Sequence, residues 1–169
     1  MSQDLEVSSI ELLQLQPSQL QKLCNREPVD WAQIRVPDGA MPSQKAIMRA
    51  LHQWRAGIPA KWCLPFLILT PTRDVIIGAC GFKGSPVEGA VEIYYGIAPY
   101  FRGQGIASQA LRRLLQMAAA NDEVERVIAH IFPRNVPSRR LVIRMGFKLE
   151  RRFLDTDGEE VDQWCWETN

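Results

Sequence analysis

The sequence predicts one α/β (α+β) domain on a mixed, mostly antiparallel sheet of roughly six to seven strands flanked by about four helices. Three observations predict this fold class. Apolar runs separated by short polar turns over residues 63–97 indicate an antiparallel meander. A strand, a glycine-bearing loop and an amphipathic helix follow one another over residues 90–120, which makes the next strand a parallel neighbour. Two strand-like segments joined across the Asp-Gly pair at 157–158 indicate a closing hairpin.

Length and composition are those of a single globular domain covering residues 1–169. Hydrophobic residues make up 46% of the chain and charged residues 23%, as in ordinary globular proteins. The net charge of +1 gives no field that would attract nucleic acid or an anionic membrane. No apolar run is long enough to span a membrane, and residues 1–10 lack the apolar core of a signal peptide. We therefore expect a cytoplasmic protein without nucleic-acid or membrane partners.

The cysteines and histidines predict no metal site. Cys24, Cys63, Cys80 and Cys165 are scattered and show no Cys-x-x-Cys spacing, so we expect neither a zinc site nor a disulfide framework. The last three lie in strand-like apolar runs and are interpreted as buried thiols. Only two histidines are present, and His130, at the end of a predicted strand, is interpreted as structural.

Hydrophobic spacing and helix-start signals locate the individual elements. Pro17 and the Pro42-Ser43 pair mark the starts of two early helices, because proline fits the first turn and serine caps it. The expected helices cover residues 17–24, 43–57, 106–120 and 136–145. The expected strands cover residues 8–15, 63–69, 75–82, 90–97, 124–131, 147–154 and 161–166. We expect the last strand to be exposed and available for a dimer contact.

The segment Arg102-Gly103-Gln104-Gly105-Ile106-Ala107 joins the central strand to the third helix. A glycine-bearing loop before a helix presents free backbone N–H groups and the positive end of the helix dipole, which suits a phosphate. A Rossmann dinucleotide site matches less well, because Ser108 stands where its third glycine is required. The Gly-Lys-Ser/Thr of a P-loop is absent. An ordinary tight turn is the alternative interpretation.

The loop resembles the pyrophosphate loop of the GCN5-related N-acetyltransferases, because Arg-x-x-Gly-x-Ala follows a strand that ends before Pro99. Asn135-Val136-Pro137-Ser138, at the start of the last helix, resembles that family's second cofactor-contacting segment. In motif the chain is most similar to the ribosomal-protein-alanine N-acetyltransferase branch. The resemblance implies that acetyl-CoA is bound by Arg102, Gly103, Gln104, Gly105, Ile106, Ala107, Asn135 and Ser138.

The same resemblance implies how the pantetheine arm of acetyl-CoA is held. In the family, two parallel central strands splay apart at their C-terminal ends, and the arm enters the gap like an additional strand. The backbone groups of Tyr95, Gly96 and Ile97 would then pair with its amides, and an N–H near Ile97 would polarise the thioester carbonyl. Glycine at position 96 fits such a close approach, and a bulge that only helps sheet packing is the alternative.

Glu92, on the central strand, resembles acidic residues that accept or relay the proton of the attacking amine, through water, in some family members. Strand alternation puts Glu92 and Tyr94 on one face and Tyr95 on the other, without showing which face meets the acceptor. An ordinary exposed strand residue is the alternative interpretation. Glu92 is our candidate for the general base.

The proton donor to the departing CoA thiolate is a separate question. Many relatives place a tyrosine seven residues after the asparagine of the second segment, where this chain has Val142. Ser138 is the remaining polar group there and a catalytic candidate, with helix capping as its alternative role. A tyrosine acid would have to come from the three tyrosines of the chain. Of these, Tyr94 and Tyr95 are better placed than Tyr100, and Tyr94 is included as a catalytic candidate.

We therefore expect a metal-independent N-acetyltransferase that moves an acetyl group from acetyl-CoA to a primary amine by direct attack in a ternary complex. The acceptor is expected to be a protein N-terminal α-amine or a small-molecule amine. The first strand lacks the Thr-x-Arg-Leu opening common in the ribosomal branch, which weighs against a ribosomal substrate. The alternatives are a non-catalytic acyl-CoA-binding module and an enzyme of another class that uses the loop for a nucleotide. The oligomeric state, monomer or homodimer, is left open.

Overall fold

The computed structural model describes residues 9–168 of the chain. Its strands are β1 (Glu11–Gln14), β2 (Phe66–Leu69), β3 (Ile76–Phe82), β4 (Ala90–Ile97), β5 (Arg126–Ile131), β6 (Lys148–Leu154) and β7 (Glu160–Glu167). Its helices are α1 (Pro17–Cys24), α2 (Gln44–Arg55), α3 (Ala60–Cys63), α4 (Ile106–Ala119) and α5 (Val136–Arg144), with a 3-10 turn at Pro99–Phe101. Within residues 9–168 the seven strands form one sheet in the order β1-β2-β3-β4-β5-β7-β6.

The sheet has the predicted mixed, mostly antiparallel topology. β2, β3 and β4 form the expected meander, and α4 crosses from β4 to β5, which therefore run parallel. β6 and β7 form the expected hairpin, but β7 pairs with β5 as well. The expectation of an exposed last strand is therefore wrong, because β7 lies inside the sheet and β6 forms the exposed edge.

Two predicted strand boundaries also differ. The expected strand at 63–69 begins only at Phe66, because residues 60–63 form the short helix α3 instead. Pro59 occupies the N-cap position of α3, and the thiol of Cys63 donates to the carbonyl of Ile58 at 3.4 Å. A short apolar run does not distinguish strand from helix by periodicity, so this error follows from the pattern itself. The expected first strand shortens to Glu11–Gln14, and residue 8 lies outside the described residues.

Helices pack on both faces of the sheet. On one face α4 buries Leu111 and Leu114 in a cluster with Val91, Ile93 and Val127 of the central strands. On the other face α1 and α2 pack on β2 and β3 in a second cluster, which includes Leu20, Ile47, Leu51, Leu67, Leu69 and Ile76. Among residues 9–168 this second cluster has no member from β5, β6 or β7, so its packing covers only one half of that face. None of the helices in this part of the chain is long and apolar enough to cross a membrane.

Candidate active site

The central feature of the site is the point at which β4 and β5 separate. The two strands pair from Ala90 with Arg126 as far as Ile93 with Ala129, and their pairing stops there within the described chain. β3 continues to pair with β4 as far as Ile97. The predicted splayed pair is confirmed, because, among the residues that the structure describes, 94–97 have a strand neighbour on one side only.

Backbone alternation shows which groups of β4 face the split. The carbonyl of Glu92 accepts from Lys83 of the β3 side at 2.8 Å, and the N–H of Ala98 donates to the same side at 2.9 Å. In an antiparallel pair each residue directs its N–H and C=O to one side, and the side alternates along the strand. The backbone groups of Tyr95 and Ile97 therefore point toward the open side, where a ligand amide can pair with them.

The glycine loop lies at the wide end of the split. Gly103 and Gly105 adopt φ angles of +77° and +76°, in the left-handed region that favours glycine. Gly105 precedes α4 and has no side chain to bond the first-turn N–H groups, so these donors remain available to an anion. The Nε of Arg102 donates to the carbonyl of Ile97 at 3.0 Å and ties the loop to the end of β4.

The first turn of α5 contains the second segment that is predicted to contact the cofactor. The side-chain oxygen of Asn135 accepts a hydrogen bond from the backbone N–H of Ser138 at 3.3 Å, so Asn135 caps this helix. Ser138 lines the same cavity as β4 and the glycine loop. Val142, one turn further along, is fully buried in the apolar core. The position that holds a tyrosine in many relatives therefore supplies only packing in this chain.

These elements enclose a cavity of about 590 Å³. Its lining residues are Tyr95, Gly96, Ile97, Phe101, Arg102, Gly103, Gly105, Ile106, Ala107, Ser108, Asn135, Pro137, Ser138, Leu141 and Arg144. The predicted cofactor-binding residues all belong to this set except Gln104. The cavity combines an open strand edge, uncapped helix N–H groups and two arginine side chains. This donor set fits the amides and phosphates of CoA.

Tyr94, a predicted catalytic candidate, does not line this cavity. Its hydroxyl lies 3.0 Å from the place of a Cβ added at Gly81, and the Arg49 guanidinium sits 5.3 Å from its ring centroid. It is therefore packed between β3 and α2 on the opposite sheet face. Burial raises the pKa of its hydroxyl far above the usual range. This placement does not support the expectation that Tyr94 protonates the thiolate.

Glu92 also lies outside the cavity, in a second cleft of about 340 Å³. Its Oε1 faces Nδ1 of His130 at 2.9 Å and pairs with the ammonium group of Lys83. The Nε2 of His130 lies 3.0 Å from Oε1 of Gln163 on β7. The cleft therefore holds a continuous polar network on the sheet face opposite α4. Neither here nor elsewhere in residues 9–168 do three His, Cys, Asp or Glu side chains form a metal-binding cluster.

Electrostatics in this cleft keep the Glu92 carboxyl ionised. Burial raises its pKa, but the hydrogen bond from His130 and the charge of Lys83 outweigh burial and lower it to about 2. The hydrogen bond to Glu92 in turn raises the pKa of His130, against a smaller opposing effect of burial. A carboxylate with so low a pKa is a weak base.

Sequence reasoning alone indicates neither Lys83 nor the pairing of His130 with Glu92. One available signal is that Glu92 and His130 both occupy polar positions on strands predicted to be parallel neighbours. Their contact depends on the register of those strands, which pairs Glu92 with Ile128 and so places His130 on the same face. A histidine near the end of one strand is therefore a candidate hydrogen-bond partner for an acidic residue on the neighbouring parallel strand.

Comparisons with known proteins agree with this geometry. Residues 10–148 match the sequence model of the family described as acetyltransferase (GNAT) domain. The chain is 33% identical over 105 residues to the uncharacterized N-acetyltransferase p20 of Bacillus licheniformis, covering 60% of this chain and 59% of the relative. It is 35% identical over 79 residues to the ribosomal-protein-serine acetyltransferase of Escherichia coli strain K12, covering 46% of this chain and 44% of the relative. The chain spans about half the length of the curated relatives it matches.

Solved structures show the same fold over nearly the whole chain. RimL, the ribosomal L7/L12 alpha-N-protein acetyltransferase solved in complex with coenzyme A, has a TM-score of 0.66 and 21% identity to this chain. The similarity covers 95% of this chain and 94% of that one. At this identity the comparison establishes the fold and leaves the substrate open.

Proposed function

Because the chain belongs to the GNAT acetyltransferase family, which matches residues 10–148, we propose that it transfers the acetyl group of acetyl-CoA to a primary amine. The observation that carries this proposal is the cavity where the open edge of β4, the uncapped start of α4 and the first turn of α5 meet. Each element offers what one part of acetyl-CoA requires. The three parts are the pantetheine amides, the pyrophosphate and the thioester.

Different residues along the cavity would bind different parts of acetyl-CoA. The backbone of Gly103, Gln104, Gly105, Ile106 and Ala107 would hold the pyrophosphate, with Arg102 adding charge. The open backbone groups of Tyr95 and Ile97 would pair with the pantetheine amides, and Gly96 between them leaves this edge free of a side chain. The N–H of Ile97 would polarise the thioester carbonyl, an oxyanion-type contribution of roughly 3–4 kcal/mol. Asn135 caps α5 and would position Ser138 beside the thioester end.

The acceptor amine would approach through the cleft that contains Glu92. Its neutral nitrogen bonds to the carbonyl carbon, the C–S electron pair moves to sulfur, and one amine proton passes to water or to Glu92. A carboxylate with a pKa of about 2 does little to deprotonate a lysine side chain, which titrates near ~10.4. An α-amine, with a pKa of ~8, needs less help. This difference favours an α-amine acceptor.

We place a protein or peptide N-terminal α-amine first among acceptors and a small-molecule amine second. The weak basicity of Glu92 supports this order. So does the similarity to a relative named ribosomal-protein-serine acetyltransferase. A cytoplasmic location is part of the same proposal and accords with four free cysteines, three of them buried. For the oligomeric state, both a monomer and a homodimer remain predictions.

An acetyl-transfer assay tests the proposal. Purified protein is incubated with acetyl-CoA and a panel of peptides with free or blocked N-termini, amino acids and polyamines, and both thiol release and product mass are recorded. We expect acetylation of free α-amines and none of the N-terminally blocked peptides. Tight CoA binding with no transfer to any amine would instead support the alternative, a non-catalytic acyl-CoA-binding module.

A further inference from the structure

The hydroxyl of Tyr95 is buried but lacks a hydrogen-bond partner among the described residues. Tyr95 nevertheless lines the cavity. The side chain of Ser138 approaches it without completing a hydrogen bond. Buried hydroxyls are nearly always satisfied, and an unsatisfied one destabilises the fold. An orphaned hydroxyl that faces a ligand cavity indicates that the ligand supplies the missing partner.

The position of Tyr95 indicates which part of the ligand this is. With the pyrophosphate at the start of α4, the pantetheine arm runs along the open edge of β4 toward the closed end of the split. That end is marked by the last pair of the parallel strands, Ile93 with Ala129. Tyr95 is the β4 lining residue nearest to it. The reacting sulfur, at the far end of the arm from the phosphates, therefore comes beside Tyr95.

We propose that Tyr95 is a catalytic residue whose hydroxyl hydrogen-bonds the sulfur of CoA and protonates it as the C–S bond breaks. The inference rests on the proposed acetyl transfer. When the amine nitrogen has bonded to the carbonyl carbon, the C–S electron pair moves to sulfur, which takes the Tyr95 proton. The phenolate then regains, through water, the proton that the amine nitrogen releases, so that the products are an amide and the CoA thiol.

The other groups near the sulfur suit this role less well. Val142 is buried and carries no proton to donate. Tyr94 lies on the opposite sheet face. Burial raises the pKa of Tyr95, with a smaller opposing effect from Ser138, and so keeps the hydroxyl protonated until a thiolate forms beside it. Ser138 is then a neighbour that orients Tyr95.

The test compares Tyr95→Phe with Tyr100→Phe, a matched control whose side chain is 84% exposed on the turn after β4. Calorimetry measures the Kd of CoA and of desulfo-CoA, which lacks the sulfur, for both variants and the wild type. We expect Tyr95→Phe to weaken CoA binding about five- to tenfold and to leave desulfo-CoA binding unchanged. Its kcat should fall about 100-fold with little change in the KM for acetyl-CoA. Tyr100→Phe should match the wild type throughout.

A ligand-free measurement adds a second readout. Removing an orphaned hydroxyl should leave the melting temperature of unliganded Tyr95→Phe equal to or above that of the wild type. A clear loss of melting temperature would show that the hydroxyl has a protein partner and would overturn the inference. An unchanged ratio of CoA to desulfo-CoA affinity would overturn it as well. Failure of the wild type to bind either compound would instead remove the proposed function, so the two failures are distinguishable.

Discussion

The Nδ1 atom of His130 lies 2.9 Å from Oε1 of Glu92 across the parallel pair β4 and β5. The other ring nitrogen of His130 lies 3.0 Å from Oε1 of Gln163. That amide is oriented by its own Nε2, which donates to Glu150 at 2.8 Å. Both ring nitrogens therefore face acceptors, and only an imidazolium satisfies both. Below the raised pKa of His130, Glu92 is thus held between two cations, His130 and Lys83.

This network predicts that its contribution to the free energy of unfolding is largest over a limited range of pH. Glu92 has a lowered pKa, so its contribution is present above about pH 4.5 and is lost as pH falls toward about 2. His130 has a raised pKa, so its contribution is present below about pH 6.5 and is lost as pH rises through the raised value. The pair therefore stabilises the fold most between about pH 4.5 and 6.5.

Denaturant unfolding of wild type and Glu92→Gln at pH 3, 5.5 and 9 checks this prediction. The difference in unfolding free energy should be on the order of 1–3 kcal/mol at pH 5.5 and smaller at both other values. Glu159→Gln is the control, because Glu159 pairs with Arg134 at 3.1 Å on an exposed surface and should contribute little at any pH. A Glu92→Gln penalty that does not vary with pH would contradict the charged pair.

Glu92→Gln should also lower kcat/KM for the amine about tenfold or more without changing the Kd of acetyl-CoA. The physical reason is that Glu92 lies in the cleft proposed for the acceptor and outside the cavity proposed for acetyl-CoA. Since its pKa is about 2, wild-type kcat/KM should rise toward the pKa of the amine and show no inflection from this carboxyl above pH 4. Steady-state kinetics across pH measure this. A rate equal to that of the wild type at every pH would remove Glu92 from the mechanism.

Gly78 on β3 and Gly96 on β4 are one register position apart, and substituting each tests a different property, stability for Gly78 and ligand contact for Gly96. A Cβ added at Gly78 would lie 2.3 Å from the carbonyl oxygen of Gly96, so Gly78→Ala should cost about 1–3 kcal/mol of stability or more. A Cβ added at Gly96 would meet no atom of residues 9–168 within 4 Å, so Gly96→Ala should unfold like the wild type. Its acetyl-CoA affinity should fall if the pantetheine arm lies against this edge. Urea unfolding and calorimetry of the two variants give both readouts, and an unchanged affinity in Gly96→Ala would place the arm elsewhere.

Asn135 and Ser138 give a second matched pair. Asn135→Ala removes the cap of α5 and should cost about 1 kcal/mol of stability while also weakening CoA binding. Ser138→Ala keeps the cap, which uses the backbone N–H of Ser138, and should leave stability unchanged while lowering kcat. Thermal unfolding combined with steady-state rates measures both effects. Full turnover by Ser138→Ala would show that its hydroxyl has no part in thiolate departure.

The parts of the site that could be predicted from sequence are those that short stretches of adjacent residues specify. The glycine loop, the proline after β4 and the cap of α5 each depend on a few adjacent residues. Backbone conformation at Gly103 and Gly105 follows from residue type, and the structure shows the positive φ values that such a loop requires. Strand and helix order follows in the same way, because a crossover helix fixes the parallel pair.

The parts that sequence reasoning missed depend on contacts between distant segments. To decide whether Tyr94 or Tyr95 faces the cavity, one must know which face of the sheet α4 covers. Strand alternation shows only that the two side chains lie on opposite faces. The partnership of Glu92 with His130 depends on register across 38 positions. The insertion of β7 beside β5 is a tertiary pairing choice that a hairpin turn does not specify. The strand predicted at 63–69 includes Cys63, which lies in α3, because a short apolar run fits either structure.

Parallel calorimetric titrations with acetyl-CoA, CoA, NADH and ATP test whether the cavity is a CoA site. We expect micromolar binding of acetyl-CoA and CoA, because the cavity offers both a strand edge for pantetheine and a helix start for pyrophosphate. NADH and ATP contain phosphates but no pantetheine, so they should bind far more weakly. Binding of NADH or ATP without binding of CoA would rule out a CoA site and assign the glycine loop to a nucleotide.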